Sequence, residues 1–197
     1  MNHREYFNQL AVRWNHITSE ETKARLPSLI KELKIEPGET ILDIGSGTGI
    51  LLPLLHEATN GEGKIVSLDI AEEMLKQAKN NGHNEDVDYV QADVAAIPFP
   101  DNTFDLIICY SCFPHFPDKT KALVEIARVL RNGGRLAICH TASRQEINEL
   151  HHSIGGVIKH DTIPDGATMR EMLKASGLKP IEIVDKKHRY LAIASKG

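Results

Sequence analysis

The sequence has little of what marks secreted, membrane-embedded or nucleic-acid-binding proteins. Its 197 residues include only three cysteines, too few for a disulfide framework, and no apolar run approaches the length that crosses a membrane. The formal net charge is −4, so no excess of positive charge favours DNA or RNA. Residues 2–5 are polar and lack the apolar core of a signal peptide. We therefore expect a cytoplasmic protein with no membrane span and no nucleic-acid partner.

Aromatic side chains are also scarce, at 5% of the residues, and several of them fall in the first stretch of the chain. Residues 3–17 have a helical spacing of apolar side chains, which predicts an amphipathic helix packed against the sheet. Thr18 and Glu21 suggest a capping box that begins a second helix, which we expect to run to about Leu33. The apolar positions of the first helix are Tyr6, Phe7, Leu10, Trp14 and Ile17.

The most informative stretch is a glycine turn that follows a short apolar strand. Residues 40–44 are largely branched and apolar, as in a parallel strand buried on both faces. Gly45, Gly47 and Gly49 follow, and glycine lets the backbone take positive φ and approach a ligand closely. A helical pattern begins at Ile50, so free N–H groups at a helix N-terminus could bind an anionic group. Strand, turn and helix predict the first unit of a doubly wound α/β sheet.

The spacing of these glycines argues against a dinucleotide ligand. The dinucleotide fingerprint is G-x-G-x-x-G, whereas here the third glycine comes one residue early and Ile50 holds the fingerprint position. Asp43 would repel a pyrophosphate, but it suits a ligand with an amino group and a positive centre. Residues 43–49 resemble motif I of the class I S-adenosylmethionine-dependent methyltransferases. In that family the loop passes under the methionine part of the cofactor.

Two further acidic residues extend the resemblance, which covers residues 35–140. Asp69 ends the next predicted strand, twenty residues beyond Gly49, where a carboxylate can accept from both ribose hydroxyls. Asp93 follows a third predicted strand, and the resemblance places it on the adenine amino group; a helix N-cap is the alternative. The stretch 97–104 resembles the ubiquinone/menaquinone-type small-molecule group. The resemblance implies S-adenosyl-L-methionine as cofactor and assigns its binding to Asp43, Gly45, Ser46, Gly47, Gly49, Asp69, Ile70, Ala92, Asp93, Val94 and Tyr110.

The remaining patterns complete a seven-stranded sheet. Residues 104–110 and 135–139 are apolar strands, and a helix that starts at Asp118 is predicted to end at residues 132–134. Two final strands are joined by three residues, so they must be antiparallel. We predict a single α/β domain over residues 1–197, a doubly wound Rossmann-like sheet, mostly parallel with an antiparallel last strand. The resemblance implies that residues 1–34 form a lid and that the helical segment 141–179 faces the methyl acceptor.

Histidines and cysteines follow the fourth and fifth predicted strands, where ligands of an open α/β sheet bind. His115 and His140 are our candidates for a catalytic base, because imidazole titrates near neutral pH. His151 and His152 are further candidates in the next predicted helix. Alternatively, the histidines are surface or capping groups and the cysteines are small buried hydrophobes.

A soft metal or metalloid site built from cysteine and histidine is a third interpretation. Its weakness is the spacing of Cys109 and Cys112, because residues three apart in a strand point to opposite faces. We therefore assign no metal ligands from the sequence.

The sequence favours methyl transfer from S-adenosyl-L-methionine to a small-molecule acceptor by in-line displacement. The fourth strand is not followed by the Asn/Asp-Pro-Pro-aromatic or Pro-Cys motifs of nucleic-acid methyltransferases. Three alternatives stay open at this point. The protein could bind S-adenosylmethionine or S-adenosylhomocysteine without catalysis, or use a Cys/His site on a soft metal, metalloid or thiol acceptor, or be a nucleotide-dependent oxidoreductase.

Overall fold

The computed structural model describes residues 1–82 and 86–197, and within them one seven-stranded sheet is flanked by helices. The strands are β1 (Thr40–Ile44), β2 (Lys64–Asp69), β3 (Val87–Gln91), β4 (Phe104–Tyr110), β5 (Leu130–His140), β6 (Leu178–Lys186) and β7 (Arg189–Lys196). The α-helices are α1 (His3–Ile17), α2 (Glu20–Glu32), α3 (Leu52–Ala58), α4 (Glu72–Asn80), α5 (Lys119–Val129), α6 (Arg144–Ile154) and α7 (Gly166–Ala175). Short 3-10 turns lie at Phe113–His115 and Gly156–Ile158.

The sheet has the strand order β3-β2-β1-β4-β5-β7-β6. Strands β1 to β5 pair in parallel, and β7 lies antiparallel between β5 and β6. The predicted mostly parallel sheet with an antiparallel last strand is therefore confirmed. The chain order reverses between β1 and β4, and the carboxyl ends of these neighbouring strands form the crevice where α/β folds bind ligands.

The central strand β1 is buried because its residues face helix layers on both sides of the sheet. Leu42 and Ile44 belong to one buried cluster, whereas Ile41 belongs to the other. This alternation follows from the period of two along a strand, and it places Asp43 on the same face as Ile41. Asp43 is thus a carboxyl group inside an otherwise apolar layer, directly below the glycine turn.

Helix α1 packs on α4, so the expected packing of the N-terminal helix against the sheet is wrong. Ala11 forms a small buried cluster with Ala71 and Met74, and Phe7 and Trp14 pack against it. The helix is held by polar contacts at both ends, which are described with the site. The aromatic face predicted from the sequence therefore points at α4 and at the crevice.

Two predicted helix boundaries differ from the structure. Helix α2 is capped by Ser19, whose hydroxyl oxygen accepts from the Thr22 N–H at 3.2 Å, so the predicted capping box at Thr18 and Glu21 is wrong. Helix α5 ends at Val129, and the glycines of 132–134 lie inside the irregular start of β5. Pairing with β4 begins at Leu130, and this tertiary contact overrides the stop signal that the glycines give.

Candidate functional site

A cavity of about 380 Å³ opens at the carboxyl ends of the parallel strands. Its walls come from the glycine turn after β1, the ends of β2, β4 and β5, and the helices α1 and α6. Of the predicted site residues, Asp43 and Gly49 do not line the cavity, and these do: Gly45, Ser46, Gly47, Asp69, Ile70, Ala92, Asp93, Val94, Tyr110, His115 and His140. The structure thus brings predicted site residues that are far apart in the sequence together around one cavity.

The glycine turn forms the floor of one end of the cavity. Gly45 and Gly47 have φ of +63° and +56°, which residues with a Cβ rarely adopt. A Cβ at Gly45 would lie 2.4 Å from the Cβ of Cys112, so the turn touches the loop after β4. Ser46 fixes the turn from below, since its hydroxyl lies 2.7 Å from that of Ser67 on β2.

The third glycine serves packing. A Cβ on Gly49 would lie 2.8 Å from Leu52 Cδ1 and 3.2 Å from the Cβ of Ala78, so the glycine lets α3 and α4 approach each other. Helix α3 begins at Leu52, two residues later than the predicted start at Ile50. The Leu52 N–H donates to the Gly49 carbonyl at 3.1 Å, which makes the intervening residues a turn.

Asp69 links two loops at the end of β2. Its Oδ2 accepts from the Gly47 N–H at 2.9 Å, and its Oδ1 accepts from the Ala71 N–H at 2.8 Å. Burial raises the pKa of Asp69 to about 6, and the hydrogen bonds from backbone N–H groups oppose this shift. A carboxylate oxygen has two lone pairs, so each oxygen retains capacity for a ligand hydroxyl in the cavity.

Asp43 lies beneath the turn and is 1% exposed. Its Oδ2 has no hydrogen-bond partner among the described residues. Burial, and then the nearby charge of Asp69, raise the pKa of Asp43 to about 8. The group is therefore largely protonated at neutral pH, and a positive charge placed above the turn would favour its ionised form.

The opposite wall is formed by residues after β3 and at the end of β4. Asp93 is exposed, and its Oδ1 accepts from the Ala95 N–H at 2.8 Å. This local contact is a turn of the chain and not the N-cap of a helix. Tyr110 is buried, with its hydroxyl 3.2 Å from Thr141 Oγ1 at the start of the segment that follows β5.

Helix α1 closes the cavity from the N-terminal side. The indole nitrogen of Trp14 would lie 3.7 Å from a Cβ at Gly47, so the ring sits against the glycine turn. Asn15 accepts a hydrogen bond from the Thr48 hydroxyl at 2.6 Å, within the same turn. At the other end of the helix, Arg4 and Asn8 donate to Glu72 on α4 at 2.9 to 3.0 Å.

His140 lies at the far end of the cavity, at the last position of β5. It is 2% exposed, and its Nε2 has no partner among the residues that the structure describes. Burial, and then the neighbouring His115 and His151, lower the pKa of His140 to about 3. The imidazole is therefore neutral at pH 7 and can exchange a hydrogen bond with a bound molecule.

His115 stands in a cluster that sequence reasoning only partly found. Its Nδ1 lies 2.7 Å from Asp161 Oδ2, and the same oxygen lies 2.8 Å from His3 Nε2. Burial lowers the pKa of His115, although the hydrogen bond with Asp161 opposes this shift. His151 packs beside it, with ring centroids 4.7 Å apart. No local pattern in the sequence indicates His3 or Asp161, because 158 residues separate them and only the fold brings them together.

Three other polar side chains of the segment 141–179 do not line the cavity. His152 and His160 are exposed. Glu146 accepts from the Ser143 N–H at 2.7 Å and completes the capping box of α6.

The cysteines are buried thiols. Burial raises the pKa of Cys112 and Cys139 well above the ordinary value. Cys112 donates to the Ile44 carbonyl at 3.0 Å and also contacts Cys109. The expectation that these two cysteines point to opposite faces is wrong, because the chain turns at Ser111, with φ of +54°. Protonated thiols with these contacts are poorly suited to bind a soft metal.

Comparison with known proteins shows which protein family the sequence resembles. Residues 42–138 match the family model described as "Methyltransferase domain". The ubiquinone/menaquinone biosynthesis C-methyltransferase UbiE of Escherichia coli O1:K1 is 43% identical over 108 residues, which are 53% of this chain and 43% of the relative. The match therefore spans less than half the length of these curated relatives.

Solved structures share the fold over nearly the whole chain. A chain from the complex between the Haloferax volcanii Trm112 methyltransferase activator and a methyltransferase has a TM-score of 0.81 at 21% identity, with 96% of both chains covered. A SAM-dependent methyltransferase from Aquifex aeolicus has a TM-score of 0.74 at 23% identity, with 98% of both covered. These matches confirm the class I methyltransferase fold. The recognition of a class I S-adenosylmethionine-dependent methyltransferase is confirmed by the sequence matches to the methyltransferase domain and to UbiE.

No helix in the described part of the chain is long and apolar enough to cross a membrane. The cytoplasmic location and the absence of a nucleic-acid partner stay predictions.

Proposed function

We propose that the protein transfers a methyl group from S-adenosyl-L-methionine to a small-molecule acceptor by in-line displacement at the sulfonium. The observation that carries the proposal is one continuous cavity with the glycine turn and Asp69 at one end and His115 and His140 at the other. The cofactor supplies an activated methyl group on a positive sulfur. The protein then mainly has to align donor and acceptor away from water.

The cofactor end has the chemistry that S-adenosylmethionine requires. In the proposed complex the methionine part lies over Gly45 and Gly47, and Asp69, which lines the same cavity, accepts from the ribose hydroxyls. Asp93, with Ala92 and Val94 beside it, is our candidate for the adenine contact. The buried and unpartnered Oδ2 of Asp43 supports a positively charged ligand above the turn, since such a charge stabilises the carboxylate.

The N-terminal helices act as the lid in this proposal. Trp14 lies against the glycine turn, and the loop between α1 and α2 supplies Thr18 and Ser19 to the cavity wall. We infer that α1 moves when the cofactor enters, because Trp14 of α1 lies against the turn that would hold the methionine part. The lid thereby excludes water from the reacting centre.

We infer that the acceptor is a largely apolar molecule with a hydroxyl group, because apolar side chains line this end of the cavity. Ile147, Leu150 and Ala142 from segment 141–179 line this end, and neutral His140 lies among them. The relative's name describes a C-methyltransferase of quinone biosynthesis. We infer methylation at a ring carbon activated by a neighbouring hydroxyl. His140 and His115 are our candidates for accepting the hydroxyl proton, and for His140 this role requires that the bound ligands raise its lowered pKa.

The proposal is tested by label transfer from methyl-labelled S-adenosylmethionine. The acceptors are a panel of hydroquinones, phenols, amines, thiols and metalloid oxyanions. We expect label on the ring carbon of a hydroquinone or phenol. Label on a thiol or metalloid would contradict the inferred acceptor, and cofactor binding without labelling of any acceptor would favour a binding protein.

The cofactor site has its own test. Asp69→Ala should weaken S-adenosylhomocysteine binding at least about tenfold, because a hydrogen bond to a charged group contributes about 1.5 to 3 kcal/mol. Asp88→Ala is the matched control, since Asp88 lies one strand away, is exposed, and pairs with Lys64. Calorimetric titration measures both affinities, and equal affinity in Asp69→Ala and wild type would overturn the ribose assignment.

A further inference from the structure

We propose that His3, His115 and Asp161 bind one divalent transition-metal ion of the zinc type at the acceptor end of the cavity. The proposal does not depend on methyl transfer. It replaces the role of His115 as a candidate base, because an imidazole bound to a metal through Nδ1 carries its proton on Nε2 and has no free lone pair; His140 then remains the candidate base. His3 comes from the first turn of α1, His115 from the turn after β4, and Asp161 from the segment between α6 and α7.

The three ligand atoms already converge. Asp161 Oδ2 lies 2.8 Å from His3 Nε2 and 2.7 Å from His115 Nδ1, and all three atoms lie within 4.8 Å of one another. Zinc binds imidazole nitrogen and carboxylate oxygen at about 2.0 to 2.2 Å, so tetrahedral ligand atoms stand about 3.3 Å apart. To admit the ion, each of the two Asp161 distances would have to lengthen by roughly half an ångström, and the two imidazole nitrogens would have to lie about as far apart as the other ligand pairs.

The donor set fits a metal of this type. Two neutral imidazoles and one carboxylate suit Zn²⁺, Fe²⁺ and Co²⁺, and a site with three protein ligands leaves a coordination position open. His3 and His115 both line the cavity, so the open position faces the space assigned to the acceptor. A hydroxyl or thiol bound there would lose its proton at lower pH than in water.

Neighbouring residues hold the ligands in place. His151 Nδ1 lies 2.7 Å from the backbone oxygen of Asp161, and Phe7 packs edge-on against the His115 ring with centroids 5.0 Å apart. The three ligand side chains are 12% to 22% exposed, so water is partly excluded. Lys119 is the nearby positive charge that opposes a cation, but its ammonium donates to the carbonyl oxygens of Pro114 and Phe116 at 2.8 and 3.1 Å.

The competing interpretation is a hydrogen-bonded clasp. In that arrangement both imidazoles donate a proton to the same carboxylate oxygen, and no ion is needed. A metal ion would take the place of the two protons that face the carboxylate. In a neutral imidazole this proton moves to the other ring nitrogen, so binding needs no release of protons but must depend on all three side chains. The two interpretations therefore differ in what the purified protein binds.

The test uses the full-length protein, stripped with a chelator and titrated with Zn²⁺ by calorimetry and with Co²⁺ by visible absorption. We expect one ion per chain and a ligand-field spectrum of Co²⁺ bound to nitrogen and oxygen. Asp161→Asn and His3→Gln should each weaken binding at least about tenfold. His160→Gln and His16→Gln are the matched controls, because each is an exposed histidine beside Asp161 or on α1, and both should bind like wild type.

S-adenosylhomocysteine affinity and circular dichroism, measured on the same variants, separate loss of the ion from loss of the fold. No Zn²⁺ or Co²⁺ binding by the stripped wild type would overturn the proposal and leave the hydrogen-bonded clasp. Binding that Asp161→Asn and His3→Gln leave unchanged would overturn it as well, since the ion would then sit on surface histidines.

Discussion

Asp43 illustrates how a buried carboxyl group beneath a candidate binding site can oppose the stability of the protein that carries it. Its carboxyl group is buried, lacks a partner for Oδ2, and has a pKa raised from 3.8 to about 8. Between these two values the unfolded chain is ionised and the folded chain is protonated. Folding therefore loses stability as pH rises, by about 1.4 kcal/mol per pH unit for one such group.

We expect Asp43→Asn to stabilise the ligand-free protein, and to do so more at pH 8 than at pH 4. The amide does not titrate, so the variant lacks the loss of stability that ionisation of the unfolded carboxyl causes. Thermal unfolding of both proteins between pH 4 and pH 8 measures the difference. Asp88→Asn, at an exposed position, should show no such change of slope, and parallel curves for wild type and Asp43→Asn would contradict the assigned pKa.

Gly45 allows a separate test of why the turn has glycine where it does. Gly45→Ala introduces both left-handed backbone strain and a Cβ that would lie 2.4 Å from Cys112. Gly38→Ala introduces similar strain at φ of +81°, with nothing within 4 Å of the new atom. We expect Gly45→Ala to lose more stability in urea, by roughly 1 to 3 kcal/mol, since overpacking costs about that much. Equal losses of stability in Gly45→Ala and Gly38→Ala would mean that the loop after β4 moves away from the new Cβ at little cost.

Most residues of the candidate cofactor site could be predicted to lie together because their sequence signals are local. Each lies at a fixed distance from a strand end, so Asp69 and the glycine turn are found by counting along the chain. His3 and Asp161 belong to no such pattern. Their meeting depends on where α1 and the segment after α6 pack, which no spacing in the sequence reports. The prediction that Cys109 and Cys112 point to opposite faces was wrong for a related reason. The chain turns at Ser111, so the alternation of side chains along the strand does not continue to Cys112.

At the scale of elements, α1 is attached to the fold by side chains at its two ends. Glu72 on α4 accepts from Arg4 and Asn8, and Asn15 contacts Thr48 in the glycine turn. The apolar contact between them is small, because only Ala11 of α1 is fully buried. An element held in this way is expected to open locally at low free energy.

We expect Glu72→Gln to increase amide hydrogen exchange in α1 severalfold and to shift the fluorescence of Trp14, the single tryptophan, toward that of an exposed indole. The substitution removes the charge that Arg4 pairs with, while the shape of the side chain is kept. Glu73→Gln is the control, since the Glu73 side chain pairs with Lys76 on α4 itself. Unchanged exchange in α1 would show that the helix is held by its apolar face.

The ends of the helices and strands show where tertiary contacts override the boundaries that local sequence patterns predict. Hydrophobic runs predicted the seven strands, and the short connection between β6 and β7 predicted that these two strands are antiparallel. The end of α5 did not, because β5 pairs with β4 from Leu130 onward and takes up residues that read as a helix stop. Ser19 displaced Thr18 as the cap of α2 because Thr18 closes α1, with its N–H on the Trp14 carbonyl at 3.2 Å.

At the scale of the whole molecule, the cavity draws on the ends of four parallel strands and on both N-terminal helices. A ligand bound there contacts segments that are far apart in the chain, so it must stabilise the folded state as a unit. The expected size follows from mass action. Saturation at 100 times the dissociation constant adds about 2.7 kcal/mol to the free energy of unfolding.

For a chain of this length we therefore expect S-adenosylhomocysteine to raise the thermal midpoint by roughly 5 to 10 °C at that saturation. The rise should grow with the logarithm of ligand concentration, because each tenfold increase adds the same free energy. NAD should produce no rise, since Ile50 occupies the position where a dinucleotide fingerprint requires a third small residue. A rise with NAD and none with S-adenosylhomocysteine would reassign the cavity to an oxidoreductase. An equally large rise in Asp69→Ala at the same ligand concentration would instead place the ligand elsewhere on the molecule.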